Sequence, residues 1–122
     1  MPYIKSDNDR REKLRKGEPA LTAGELNYQI FYYVKHNFNT RFFLLQAIEI
    51  KQFVDNFLGK NPNYQKYNDM TGCLIRCAKE IERRLGKDYN AFILLLYNIM
   101  ESYDDEIAKY EDKKIIENGD CE

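Results

Sequence analysis

Few residues in this chain are equipped for bond-making chemistry. One histidine (His36), two serines (Ser6 and Ser102) and three cysteines (Cys73, Cys77 and Cys121) make up the usual nucleophiles and bases. Neither serine stands in a Gly-x-Ser-x-Gly elbow, and a single histidine leaves at most one site for nucleophile–base pairing. Cys73 and Cys77 are four apart rather than in the Cys-x-x-Cys spacing that zinc favours, and no Glu-x-x-His pair suited to a di-iron bundle occurs. Two cysteines at helical spacing read as small core residues, and an odd total is a poor disulfide framework. Glycine-rich phosphate loops are absent. The acidic runs Asp104-Asp105-Glu106 and Glu111-Asp112 read as solvated helix faces. The expectation is a protein that is not an enzyme, with no cofactor and no metal.

Tyrosine and arginine are the residues better suited to binding. The chain has 10 tyrosines and no tryptophan. Tyrosine combines an apolar ring with a hydroxyl that seeks a partner, which suits interfaces and pockets for flat ligands. Tyr28, Tyr64, Tyr67 and Tyr110 are candidates for such a surface, and a rim around the core of a small domain is the competing reading. Arg76, Arg83 and Arg84 share one predicted helix, where with nearby tyrosines they could grip a phosphate and stack a base. Alternatively they form a salt-bridged face, because Glu80 stands four residues from both Arg76 and Arg84. The charged block from Tyr110 to Asp120 reads equally as a helix end and as a docking segment.

Helices must position these side chains. Thr22-Ala23-Gly24-Glu25 is a capping box, in which the threonine oxygen accepts the Glu25 amide and Glu25 reaches back to the cap. It opens a helix to about Val34 or His36 that buries Leu26, Ile30, Tyr33 and Val34. A second helix, from Thr40 to Leu58 with Gly59 beyond it, is apolar over a broad arc. Such a helix is either central in the core or buried against a second copy of the chain. After the Gly59–Pro62 loop, Asn63 caps a third helix to Leu85, whose seam is Tyr67, Met70, Leu74, Cys77, Ile81 and Leu85. Gly72 within it costs about 1 kcal/mol relative to alanine unless something packs closely there. Gly86 closes it, Asp88 caps the next, and an unbroken stripe from Tyr89 through Tyr103 to Tyr110 predicts one fourth helix of about six turns. That helix could run on until Asn118-Gly119. The expected fold is all-α, a small bundle of three to four main helices with a helical hairpin at the C-terminal half. Residues 1–21, with only Leu14 to bury between Asp7 and Lys16, are expected to be weakly structured, and 22–122 to form a single helical domain.

Composition agrees with this picture. At 122 residues, 43% hydrophobic and 32% charged, the chain is sized for one core. With 19 basic and 20 acidic residues the net charge is -1, so no overall field draws it to nucleic acid or to an anionic membrane. No apolar run approaches the ~18 residues that span a bilayer, and the N-terminus lacks a signal-peptide pattern. A cytoplasmic location is expected.

Several blocks together resemble a family of short phage and bacterial proteins that is a domain of unknown function. They are Met1-Pro2-Tyr3-Ile4-Lys5, Gly24-Glu25-Leu26-Asn27-Tyr28, Tyr64-Gln65 with Asn68-Asp69 and Gly72, and Arg83-Arg84. At the C-terminus they continue as Tyr110-Glu111-Asp112-Lys113-Lys114-Ile115 with Glu117-Asn118-Gly119-Asp120. The resemblance implies a phage or mobile-element setting and brings no activity with it. The chain departs from the pattern by extra length around 40–58 and 88–106 and in its Cys121-Glu122 ending.

The resulting expectation is a non-enzymatic binding protein that works as a homo-oligomer and captures a host protein or a small nucleotide-like ligand. A purely structural self-associating module is the alternative. A nucleic-acid accessory protein using Arg76, Arg83 and Arg84 is another, disfavoured by the near-zero net charge.

Overall fold

In a computed structural model, which describes residues 9–37 and 42–118, the chain is all-α. α1 (Asp9–Arg15), α2 (Ala23–Asn37), α3 (Phe43–Leu58) and α4 (Tyr64–Leu85) are followed by a 3-10 turn at Lys87–Tyr89, then α5 (Asn90–Ser102) and α6 (Asp104–Asn118). No strand occurs among the described residues. α4 is the central element. α2 and α5 pack along it, and α3 lies against α2 and α4.

The caps predicted at Thr22, Gly59, Asn63 and Gly86 form, the first with one adjustment. Thr22 Oγ1 accepts the Glu25 amide at 3.2 Å, while the Glu25 carboxylate reaches past the cap to the Leu21 amide at 2.9 Å. Asn63 Oδ1 accepts the Lys66 amide at 2.9 Å and starts α4. Gly59 and Gly86 end α3 and α4 at φ 73° and 88°, a region that glycine enters without strain. The expected start of α3 at Thr40 lies outside the described residues, as does the Gly119 stop.

The hairpin of α4 with α5 forms, but the fourth helix is not continuous. α5 and α6 meet at Tyr103, whose amide bonds back to Met100 O at 3.2 Å in a tighter turn, and a new helix then starts with Ile107 N donating to Tyr103 O at 2.9 Å. Two forces favour the break. Asp104, Asp105 and Glu106 are acidic residues suited to a helix N-terminus. The Tyr103 side chain is also tied to α3, as described below. Nor does Asp88 cap: it lies in the 3-10 turn, and α5 begins with no side-chain cap bond.

The core is one cluster drawn from α1 to α5, with Tyr103 at the joint. Leu26, Ile30, Val34, Met70, Leu74, Cys77 and Ile81 occupy it as their spacing predicts. The segment before residue 22 is more than loose chain. α1 lies on α2, and Leu14 and Ala20 are buried in the shared core. Residues 1–8 of that segment are outside the described part. One buried leucine does not secure α1 alone. Polar bonds that composition does not reveal supply the rest.

Candidate functional site

The first candidate surface is the α1–α2 face that carries Tyr28. Arg10 grips Glu25 in a two-pronged pair, Nε to Oε2 at 3.0 Å and Nη2 to Oε1 at 2.8 Å. The same guanidinium donates to Glu18 at 2.7 Å and to the Pro19 carbonyl at 2.8 Å. Beneath it, the buried Gln29 amide donates to the carbonyls of Leu14 and Glu18 at 2.8 and 2.9 Å. The Arg10 hydrogen bond holds the Glu25 carboxyl below the usual glutamate range, against an opposing effect of burial. On the outer side, Arg15 Nε donates to the Tyr28 hydroxyl at 2.8 Å. Its guanidinium lies 4.6 Å from the Tyr32 ring centre, and that of Arg11 lies 5.2 Å from Tyr28. Tyr28 stacks on Tyr32, which in turn meets His36 at 4.2 Å. Tyr28 is therefore engaged in clamping α1 to α2.

The second candidate is a groove at the start of α4. Tyr67 and Tyr110 meet at 5.8 Å between ring centres. Beside them an open groove of about 410 Å³ is lined by Tyr64, Tyr110, Glu111, Lys114 and Ile115. Lys114 Nζ is 5.7 Å from the Tyr110 ring centre. Two phenol rings, an aliphatic wall and a charge of each sign can hold a flat, polar-edged ligand.

The predicted arginines do not join it. Arg83 is 19 residues beyond Tyr64 on the same helix, about 28 Å along its axis. Arg76 and Arg83 are exposed, and Arg84 lies over the Phe31 ring at 4.6 Å. The structure thus groups Tyr64, Tyr67 and Tyr110 and leaves Tyr28, Arg76, Arg83 and Arg84 elsewhere. Glu80 turns inward and is buried beside Cys77 and Ile81. Among the described residues it forms no ion pair with Arg76 or Arg84, so the alternative of a salt-bridged face does not form there either.

Two features lie outside the residues singled out from sequence. The first is the clasp at the α5–α6 joint. The buried Tyr103 hydroxyl donates to Asp55 Oδ1, and Lys51 Nζ lies 2.6 Å from that hydroxyl and 3.1 Å from Asp55. The ammonium also sits 4.0 Å from the ring centre. Burial, then the bond to Asp55, pushes the Tyr103 phenol far up, so it stays a neutral donor. The signal for this joint was the acidic triplet after Tyr103.

The second feature is the outer face of α3, where Leu44, Leu45 and Ile48 are 79%, 62% and 65% exposed and Phe42 flanks them at 49%. α3 thus buries one side in the core, through Ile50, Phe53, Val54 and Phe57, and leaves this other side exposed in the single chain.

The buried cysteines offer no reactive thiol. Burial pushes Cys73 up to about 12 and Cys77 well above the ordinary range. Among the described residues no cluster of three or more His, Cys, Asp or Glu could hold a metal ion, and no helix is long and apolar enough to cross a membrane.

Comparison with known proteins matches residues 1–94 to a family described as a domain of unknown function, DUF6899, and the chain belongs to that family. The match spans α1 to α4 and the start of α5. The tail block from Tyr110 to Asp120 lies beyond it. No curated protein and no solved structure matches.

Proposed function

We propose that this member of a family of unknown function is a small non-enzymatic binding protein of the cytoplasm that works as a homo-oligomer. One observation carries the reading: α3 shows water an uncharged apolar band, Leu44, Leu45 and Ile48, on the side away from its own core. Isolated exposed apolar residues are ordinary, and a contiguous band on one helix favours a protein-contact role. Among the described residues both cysteines are buried and protonated, which supports a binding role over a catalytic one. The phage or mobile-element setting, with a host protein as the captured partner, rests on the resemblance of the sequence blocks. Sedimentation velocity from nanomolar to high micromolar concentration tests the oligomer. The expected result is a mass that rises above one chain, and a strict monomer throughout sinks the proposal.

A second reading is favoured by the groove at Tyr64 and Tyr110, which suits a small nucleotide-like ligand. A thermal-shift screen of nucleotides and cyclic nucleotides checks it. Stabilisation that Tyr110→Ala abolishes supports the groove. No shift at ligand concentrations far above micromolar removes it.

A further inference from the structure

The outward side of α2 gathers rings and cations. At about 100° per residue, Tyr28, Phe31, Tyr32 and Lys35 share the side turned away from the buried Leu26, Ile30 and Val34, and they span about 10 Å of helix axis. No aliphatic residue falls in this arc, and Gly24, one turn before Tyr28, adds no side chain. From α1, Arg15 lies over Tyr32, and from α4, Arg84 lies over Phe31, each at 4.6 Å from the ring centre. Phe31 and Tyr32 point about 100° apart with Tyr28 and Lys35 between them, so the two guanidiniums stand at opposite edges of the face.

These cations are available. Arg15, Lys35 and Arg84 are exposed and form no ion pair among the described residues. Arg15 is also held in place. Its Nε donates to the Tyr28 hydroxyl at 2.8 Å, which leaves the terminal amino groups for another acceptor. Carboxylates do not neutralise the face. α2 has one acid, Glu25, and Arg10 grips it. The acids nearest Arg15 in the chain, Glu12 and Glu18, pair with Lys16 and Arg10. Glu80 is buried, and Glu82 lies about 160° round α4 from Arg84. The net charge of -1 averages over this segregation.

We infer that this face binds single-stranded nucleic acid, with phosphates on Arg15, Lys35 and Arg84 and bases on the rings. The inference goes beyond the proposed oligomer and stands whether or not the chain self-associates. Cations at opposite edges of a face about 10 Å wide cannot meet on one phosphate, so the ligand carries a row of anions. The rings select among polyanions. Every base has a flat π face to lay on a phenyl, a phenol or a guanidinium plane, whereas a chain of carboxylates has none. A duplex keeps its bases stacked on each other and out of reach of the rings.

Fluorescence anisotropy of the full chain with labelled oligo(U) and oligo(dT) strands of about 12 nucleotides tests this. Binding of either strand is expected, weakening between about 50 and 200 mM salt with a log–log slope near -2 for three phosphates. A duplex of the same length and a poly-glutamate peptide should bind at least about tenfold more weakly. Arg84→Gln should flatten the slope by about 0.7. Tyr32→Leu should weaken binding at least about fivefold with the slope unchanged.

No binding of either strand at low salt, with protein in the high micromolar range, overturns the inference. A duplex that binds as tightly shows charge attraction without stacking and overturns it, and poly-glutamate binding as tightly makes the face a protein-contact surface and overturns it too. Affinity unchanged in both variants places the contact elsewhere. Photocrosslinking of a thiouridine-substituted strand to the unaltered chain reads the site without any substitution. Adducts on Tyr28, Phe31 or Tyr32 support the inference, and adducts confined to other elements overturn it.

Discussion

The clamp between α1 and α2 makes a prediction that acid titration can isolate. Glu25→Gln keeps the side chain's shape and its acceptor oxygen but removes the charge that Arg10 grips at 2.8 and 3.0 Å. The two side chains are only 20% and 17% exposed, so solvent screens this pair less than a surface pair. Hydrogen bonds to charged groups are worth about 1.5–3 kcal/mol. Arg10 keeps Glu18 and the Pro19 carbonyl as partners in the variant, which moves the expected loss to about 1–2 kcal/mol. For a chain of this size that is a fall in Tm of about 4–8 °C.

The pH dependence follows from the direction of the Glu25 shift. Its folded pKa lies below the unfolded value, so its contribution is complete above the ordinary glutamate range and is lost as pH falls through the folded pKa. Urea melts of the two proteins should therefore differ most near neutrality and converge in acid, where Glu25 is protonated in both states. Hydrogen exchange at neutral pH should show the deprotection concentrated in residues 10–20. A gap that stays constant into acid refutes the ion pair as the source, and uniform deprotection refutes the local clamp.

Other outcomes follow from single contacts. Tyr103→Phe keeps the buried ring but leaves Asp55 without its phenol donor, and should cost about 1–2 kcal/mol in denaturant melts; no loss means that the clasp is incidental. Gly72→Ala should stabilise by about 0.5–1 kcal/mol, because a Cβ there meets nothing within 4 Å and the helix interior favours alanine. A thiol-reactive dye should reach Cys73 and Cys77 only after unfolding, since both are buried and held as thiols; fast labelling of the native protein at neutral pH contradicts that.

What the sequence revealed and what it hid have separate physical causes. Helix existence, the Thr22 and Asn63 caps and the α4 seam depend on neighbours within one or two turns, and local spacing carries that information. The break at Tyr103 depends on Asp55, 48 residues away, and no periodicity can register such a bond. The docking of α1 was hidden for a similar reason. It rests on Arg10, Glu25 and Gln29, whose value lies in geometry across 15 residues rather than in hydrophobicity. The tyrosines were equivocal because a half-buried ring looks the same in a list whether it clamps a neighbouring helix, as Tyr28 does, or borders a groove, as Tyr64 does. The arginines stand apart from the groove for reasons of scale: residues that share a helix can still stand several turns apart.

The strength of self-association at α3 can be bounded, and the bound decides how it must be measured. Full burial of a leucine or isoleucine is worth about 1.5–3 kcal/mol, and the three residues retain only part of their surface in one chain, so each has about 1–2 kcal/mol left to gain. Six such residues in a pair give roughly 6–12 kcal/mol before costs. Lost rigid-body freedom opposes this by about 4–15 kcal/mol. The two ranges overlap, so the band alone supports a weak or moderate pair. An obligate dimer is not expected, because the inner face of α3 already completes the core of one chain. The chain should therefore be folded and monomeric at nanomolar concentration and paired at tens of micromolar. Leu45→Glu with Ile48→Glu should weaken pairing at least 100-fold, about 2.7 kcal/mol, while leaving the single chain's unfolding curve unchanged at high dilution. A variant that unfolds when dilute would show that the outer face is needed for folding itself, and the division of α3 into a core side and a contact side would be wrong.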